Sequence, residues 1–108
     1  MICDLISHIP TKALLNGTLT RTEYANSFDD FFRYIDVSNE QVTLRLNNRI
    51  SEEVWRNWCS GIKNNLELHA FKKAWEEIKQ RDTKSFQNLR KLDTEKFEID
   101  PFTWSVHK

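Results

Sequence analysis

The sequence is short of residues that interrupt a chain or cross-link it. Its 108 residues include only two glycines, two prolines and two cysteines. Few chain-breaking residues favour long helices, and Cys3 and Cys59 lie too far apart in a chain without other cysteines to indicate a disulfide framework. We therefore expect one domain, residues 1–108, that folds in a reducing cytoplasm and buries its core without a disulfide or a metal.

Membrane and nucleic-acid signals are also missing. No apolar run approaches the roughly eighteen residues that span a bilayer, and the start of the chain lacks the basic leader and long apolar core of a signal peptide. The sixteen basic and sixteen acidic residues cancel, so no overall field attracts nucleic acid or an anionic membrane. The sequence therefore favours a protein partner and a cytoplasmic location, and it does not favour nucleic acid.

Residues for metal or nucleotide chemistry show no recognisable pattern. His8, His69 and His107 are isolated from one another, and no cysteines have the spacing of metal ligands. Gly17 and Gly61 stand alone, so no glycine-rich phosphate loop is present. We expect no cofactor and no metal.

A nucleophilic role for Cys59 is not favoured either. It shares a helical face with Trp55 and Ile62, where a cysteine behaves as a small hydrophobic residue and burial keeps its thiol protonated. His69 would be its partner base, but a position near a helix boundary is equally typical of a capping or solvent-facing residue. We predict that the protein is not an enzyme.

What the sequence does contain is apolar residues at helical spacing. Thr20 and Glu23 have the spacing of a capping box, and Ser51 provides a second helix start. The stripe after the first start consists of Tyr24, Phe28, Phe31, Phe32, Ile35, Val42 and Leu46. The apolar stripe that follows Ser51 changes register beyond Leu66, which indicates a break in the helix near residues 64–65.

These patterns predict an all-α fold, a small helical bundle of three main helices plus a short fourth, with a packed amino-terminal arm and carboxy-terminal tail. The arm covers residues 1–19 and includes the apolar Ile2, Leu5 and Ile6, and the tail covers 93–108. The predicted helices span 20–47, 51–65, 67–80 and 83–92. The last is capped by Asp82 or Thr83, and Asp100-Pro101 argues for extended or turn geometry in the tail.

Charged residues form a strip on the first long helix, which we call the acidic strip: Asp29, Arg33, Asp36 and Glu40, with Asp30 beside them. One interpretation is a solvated face with an internal ion pair between Asp29 and Arg33, worth roughly a few tenths of a kcal/mol. The other is a recognition surface for a basic partner. We predict that partner binding occurs at this strip.

A resemblance rests on the order of residues along the chain. It runs Tyr24, Phe28-Asp29, Phe32, Tyr34, Asn39-Glu40-Gln41, Leu44, Arg49-Ile50-Ser51, Trp55, Trp58, Gly61-Ile62, Phe71 and Trp75. This order, over roughly residues 20–92, resembles an uncharacterised family of small helical bacterial proteins that often carry an amino-terminal membrane anchor. The resemblance implies a helical fold and a bacterial or phage source, and no assigned activity.

The function we expect is non-catalytic protein binding by a compact helical module. An example is a phage or mobile-element inhibitor of a host complex such as a defence nuclease. Two alternatives stay open. One is an enzyme or small-ligand binder with a polar pocket between helices, using Glu40, Arg45 or His69. The other is a self-associating structural protein that forms homo-oligomers.

Overall fold

A computed structural model of the chain describes residues 9–107, with side chains as far as residue 104. Within this range the chain is helical and contains no strand, which confirms the all-α prediction. The elements are α1 (Thr11–Leu14), α2 (Arg21–Leu46), α3 (Glu52–Leu66), α4 (His69–Arg81), α5 (Gln87–Thr94) and a 3₁₀ helix (Pro101–His107). None of the helices in residues 9–107 is both long enough and apolar enough to cross a membrane.

The longest helix, α2, begins at the capping box that the sequence predicts. The Thr20 hydroxyl accepts a hydrogen bond from the Glu23 backbone N–H at 3.1 Å, and the Glu23 carboxylate accepts one from the Thr20 N–H at 2.9 Å. Lys12 of α1 forms an ion pair with the same carboxylate at 2.8 Å. The Lys12 contact and the Thr20 amide hold the pKa of Glu23 below its usual range. The start of α2 and the short α1 are therefore fixed together.

The core is built around the inner face of α2. Phe31 and Tyr34 are fully buried and meet Phe71 of α4 edge-on, with ring centroids 4.9 Å and 5.3 Å away. Asn65 of α3 donates a hydrogen bond to the Tyr34 hydroxyl at 2.8 Å, and burial raises the pKa of that phenol. The other buried apolar residues of the long helices are Ile35, Val42, Trp55, Ile62, Leu66, Ala70, Ala74, Trp75 and Ile78.

Three helices end at a left-handed residue that is not glycine. Asn16, Asn48 and Lys96 have φ values of 66°, 57° and 59°. The amide after each one reaches back into its helix, in the bonds Gly17 to Lys12, Arg49 to Leu44 and Phe97 to Leu92, at 2.7, 2.8 and 2.9 Å. These are Schellman bonds, which satisfy carbonyls at the helix end. Asparagine tolerates the left-handed region, so Asn16 and Asn48 are the sequence signals for two of the three turns.

The break between α3 and α4 lies at Glu67 and Leu68, just beyond the asparagines at 64–65 where the sequence indicates it. Leu68 is the N-cap of α4 and has no polar side chain to cap the helix. The Asn16 side chain takes that role, since its Oδ1 accepts a hydrogen bond from the His69 N–H at 2.9 Å. The cap of α4 therefore comes from a residue 53 positions earlier.

The last α-helix begins later than predicted, at Gln87 instead of near residue 83. Asp82 does not cap it, because its carboxylate accepts hydrogen bonds from the Lys84 and Ser85 amides, at 3.1 Å and 3.2 Å, and from the Ser85 hydroxyl. These contacts, the Ser85 hydroxyl first, lower the pKa of Asp82. An aspartate whose carboxylate accepts hydrogen bonds from the amides two and three residues later forms a turn. Here the turn competes with helix formation.

The cap of α5 is also supplied from a distance. Phe86 is the N-cap residue, has a left-handed backbone with φ 59° and makes no side-chain cap bond. Asn39 of α2 caps the helix instead, because its Oδ1 accepts a hydrogen bond from the Leu89 N–H at 2.9 Å. Beside it, Asn88 donates to the Thr43 hydroxyl at 2.7 Å. The two bonds fix α5 against α2.

The ends of the described chain contact the helices. In the arm, Ile9 and Ala13 are buried in the core, while Ile2, Leu5 and Ile6 lie outside the described residues. The tail begins after Thr94 instead of at residue 93. Its residues 95–100 have the turn or irregular geometry expected up to Asp100, and the residues from Pro101 onward form a 3₁₀ helix that contacts α2. Proline fits the first position of such a helix because its φ is already near the required value.

Candidate functional site

The acidic strip lies on the outer face of α2. Asp29, Arg33, Asp36 and Glu40 are exposed, and Asp30 is half-buried beside them. Residues three and four apart on a helix lie on one face, so α2 brings the first four together without help from other elements. The strip spans twelve residues of one helix, from Asp29 to Glu40.

The carboxylates of the strip differ from most others in the chain. Among the described residues, none of them has an ion pair or a hydrogen bond to another side chain or to the backbone. By contrast, eight acidic residues elsewhere are bonded in this way: Glu23, Glu52, Glu76, Glu77, Asp82, Asp93, Glu95 and Asp100. Unneutralised negative charge is therefore concentrated on this face of α2.

The ion pair between Asp29 and Arg33 is not formed. Of the ion pairs within 4 Å that join described residues, none includes either side chain. The spacing suits such a pair, but exposed pairs at this spacing gain little free energy and compete with hydration. Both side chains are consequently available to solvent.

An aromatic residue borders the strip. Phe32 remains 42% exposed, although the sequence places it in the core stripe. Successive helical residues are about 100° apart, so Phe31 and Phe32 cannot both face the core, and Phe31 is the buried one. The ring of Phe32 meets Phe86 edge-on, with centroids 5.4 Å apart. The sequence could have indicated this exposure, because two adjacent phenylalanines on a helix cannot both face the core.

Arg45, at the carboxyl end of α2, is the most buried charged residue described, at 7% exposure. Its Nε and Nη2 donate hydrogen bonds to the two carboxylate oxygens of Asp100 at 2.9 Å and 2.8 Å, and its Nη1 donates to the Ile50 carbonyl at 3.0 Å. Its guanidinium carbon also lies 5.0 Å from the centre of the Phe102 ring. Arg45 holds the pKa of Asp100 below its usual range. This cluster joins the tail to α2.

A first groove of about 450 Å³ lies between α3, α4 and the bend after α5. Its charged lining is mixed: Lys63, Lys72, Lys96, Glu67, Glu76, Asp93 and Glu98. Trp75 and Phe97 provide apolar surface, and the Trp75 indole donates a hydrogen bond to Asp93 at 2.9 Å. The three lysines have no ion pair with any other described residue, so the groove could hold a small polar ligand.

A second groove of about 420 Å³ contains Cys59, together with Arg56, Ile99 and Asp100. The thiol is half-buried and donates a hydrogen bond to the Phe97 carbonyl at 3.7 Å. Burial raises the pKa of Cys59. A protonated thiol is a poor nucleophile, so the groove does not activate this cysteine.

The residues of the enzyme alternative are not brought together. Glu40 is exposed on the strip, Arg45 is engaged with Asp100, and His69 is exposed at the first turn of α4. None of the three lines either of the two grooves. Neither groove is therefore the polar pocket expected from these three side chains.

Metal-ligating side chains are also dispersed. The side chains described, those of residues 9–104, include no group of three or more histidine, cysteine or carboxylate side chains close enough to hold a metal ion. His8, and the side chain of His107, lie outside the described part of the structure. The described residues therefore provide no candidate ligand set.

Comparison of the chain with protein-family models, with curated proteins and with solved structures finds no match. The resemblance to an uncharacterised bacterial family stays a prediction.

Proposed function

We propose that this protein is a non-catalytic binding module, a compact helical bundle that recognises a basic protein partner through the acidic strip of α2. The observation that carries the proposal is the set of exposed carboxylates at positions 29, 36 and 40, which have no cationic neighbour bonded to them among the described residues. Binding needs no cofactor in this proposal.

Electrostatics explains why such a face suits recognition. The formal net charge of the whole chain is zero, so long-range attraction to a partner must come from a local concentration of one sign. A negative patch speeds the encounter with a positive patch and disfavours partners of the wrong sign. Carboxylates that are not already paired lose less on binding, because no internal ion pair must be broken.

The partner class follows from the charge. Proteins that bind nucleic acid present lysine and arginine to phosphate groups, so they offer a surface complementary to the strip. Together with the resemblance to bacterial proteins, this supports a phage or mobile-element inhibitor acting in the cytoplasm on a host complex, such as a defence nuclease. Occupying the basic surface of that partner would block its access to phosphate.

A pull-down from host lysate followed by mass spectrometry tests the proposal. The bait is compared with the triple variant Asp29→Lys, Asp36→Lys, Glu40→Lys. A matched control reverses three other carboxylates that are exposed and lack an ion pair among the described residues: Glu53→Lys, Glu67→Lys, Glu98→Lys. We expect the strip variant to lose the partner and the control to retain it. Equal retention by both variants would exclude the strip as the binding surface.

A second candidate is a small-ligand binder, and the observation that favours it is the first groove. Its volume lies in the range of ligand sites, and Lys63, Lys72 and Lys96 line it without ion pairs to other described residues. Thermal denaturation in the presence of a metabolite collection would reveal a ligand as a rise in the melting temperature. A rise that Lys72→Ala abolishes would support this candidate.

Self-association is the remaining alternative. The exposed apolar side chains Leu15, Phe32, Val54 and Ile99 provide surface for it. Sedimentation velocity over a range of concentrations decides the question, because a self-associating chain shows a sedimentation coefficient that rises with concentration.

A further inference from the structure

We infer that the aromatic pair Phe32–Phe86 is the apolar anchor point of the binding surface, and that the partner segment it takes is one basic amphipathic helix. This inference rests on the proposed function and narrows the partner to a segment of stated chemistry. The segment has one apolar residue that contacts Phe32, with a lysine or arginine about one turn before it and another about one turn after it.

Phe32 is exposed at the edge of the acidic strip. Its side chain is 42% exposed on a helix whose inner face is otherwise closely packed. Protein interfaces characteristically combine a central aromatic residue with a polar rim that excludes water. Phe32 borders the acidic strip, with Asp29 three residues before it and Asp36 four residues after it, so it has the position of such a centre.

Phe86 has an unusual backbone conformation. It has a left-handed backbone, with φ 59°, which a bulky residue adopts only when its surroundings compensate for the strain. In that conformation its ring contacts Phe32 edge-on at a centroid distance of 5.4 Å. The pair therefore presents a fixed aromatic surface at the junction of α2 and α5.

The two aspartates on either side of Phe32 have a spacing that suits a helical partner. With a rise of about 1.5 Å per residue, Asp29 and Asp36 lie about 10 Å apart along the axis of α2, on either side of Phe32. In a partner helix, residues three before and four after an apolar residue lie on its face and have the same separation. An extended segment has the cations of the same face two residues on either side of the apolar group, about 13 Å apart at roughly 3.3 Å per residue, which matches the separation of Asp29 and Asp36 less well. The spacing therefore favours a helix.

Arg33 supplies a test of sign. It lies in the strip, is exposed, and has no ion pair with another described residue. A cationic partner helix is repelled by Arg33 and attracted by Asp29 and Asp36. Removing Arg33 should therefore tighten binding, while removing the aspartates should weaken it. A surface that affected binding only through folding would not respond in opposite directions.

The probe is a synthetic helical peptide of about 18 residues with one leucine flanked by arginines at the three- and four-residue positions. A matched peptide has serine in place of leucine and the same charge. Fluorescence anisotropy with the full chain measures both dissociation constants. We expect the serine peptide to bind about tenfold more weakly, which corresponds to the loss of one interface anchor. Equal affinity for the two peptides, or no measurable binding of either, would overturn the inference.

Variants of the protein then separate the inference from the proposed function. Phe32→Ala should weaken binding of the leucine peptide about tenfold and leave the serine peptide unchanged, while Ile99→Ala, a similarly exposed apolar side chain, should change neither. Asp29→Lys with Asp36→Lys should weaken both peptides, compared with Glu67→Lys and Glu98→Lys. Arg33→Ala should tighten both.

The outcomes are distinguishable. If the aspartate variant weakens binding but Phe32→Ala does not, recognition by charge survives and the aromatic anchor is excluded. If the double aspartate variant and the control with Glu67→Lys and Glu98→Lys bind the peptides with equal dissociation constants, the proposed function is excluded as well. Circular dichroism verifies that each variant is folded, and the comparison of the two peptides on the unmodified chain needs no variant at all.

Discussion

Arg45 and Asp100 form a two-point ion pair, with both carboxylate oxygens of Asp100 within 2.9 Å of guanidinium nitrogens. The pair connects the end of α2 to the residue that precedes the 3₁₀ helix, 55 positions later in the chain. Paired, planar hydrogen bonds of this kind are the strong ones in proteins. Because Arg45 is nearly excluded from solvent, the carboxylate is needed to satisfy its hydrogen-bond donors.

Replacing Asp100 with asparagine should destabilise the protein by about 2 kcal/mol. The cost arises because a buried guanidinium loses its charged acceptor and cannot be fully rehydrated. Urea unfolding followed by circular dichroism measures the free energy of unfolding. Glu98→Gln, which removes the charge of an exposed neighbour without an ion pair among the described residues, is the control and should be neutral. Equal effects of the two substitutions would mean that the pair contributes nothing specific.

The contribution of Asp100 should depend on pH in a defined direction. Its folded-state pKa lies below its usual range, chiefly because Arg45 donates hydrogen bonds to it. A group with a lowered folded pKa stabilises the protein fully above its unfolded pKa, about 3.9, and loses that contribution as the pH falls through the folded value. The difference in unfolding free energy between the wild type and Asp100→Asn should therefore be constant from about pH 5 to 7 and shrink below about pH 4. A difference that grew in acid would contradict this assignment.

The two glycines should respond oppositely to alanine. Gly61 lies within α3 and is exposed, and a Cβ atom there would have no neighbour within 4 Å. Gly61→Ala should stabilise the protein by about 1 kcal/mol because alanine is the better helix former. At Gly17 a Cβ atom would lie 2.5 Å from Lys12 Cγ and 2.8 Å from the Lys12 carbonyl oxygen. Gly17→Ala should therefore lower the melting temperature, and a rise in both variants would refute the argument.

The Asn39 side chain should act as a helix cap for α5. Asn39→Ala removes the acceptor of the Leu89 amide and should cost about 1 kcal/mol, as N-cap deletions do. Asn26→Ala is the matched control, since Asn26 is an exposed asparagine on the same helix. Chemical denaturation of both variants gives the comparison. If Asn39→Ala were no worse than Asn26→Ala, the amide of Leu89 would not depend on this bond.

Local signals in the sequence predicted much of the fold. The capping box at Thr20 and the cap at Ser51 both use contacts between residues three positions apart, and the structure has both of them. Predictions failed where a residue distant in the sequence determines the local structure. The start of α5 depends on Asn39, which belongs to no local helix-start pattern, and on Asp82, which the sequence indicated as a cap but which forms a turn. The tail depends on Arg45, which the sequence alone could not pair with Asp100.

Part of the candidate site could likewise be predicted from the sequence, and part of it could not. The strip itself could be predicted, because its members share one helical face. The degree to which Phe32 is exposed could not, since it depends on how far α5 covers α2. The lack of an ion pair between Asp29 and Arg33 depends on competition with water, which spacing does not report.

The distant asparagine caps of α4 and α5 have a consequence for folding. Neither helix supplies a side-chain cap from its own N-cap residue, so a fragment that contains only residues 69–94 lacks the groups that would start its two helices. Short isolated helices are already marginal in water. The hydrogen bonds from Asn16 and Asn39 therefore add to the stability of both helices only when the two halves of the chain are packed together. We expect the chain to unfold in one cooperative transition, as small single domains usually do.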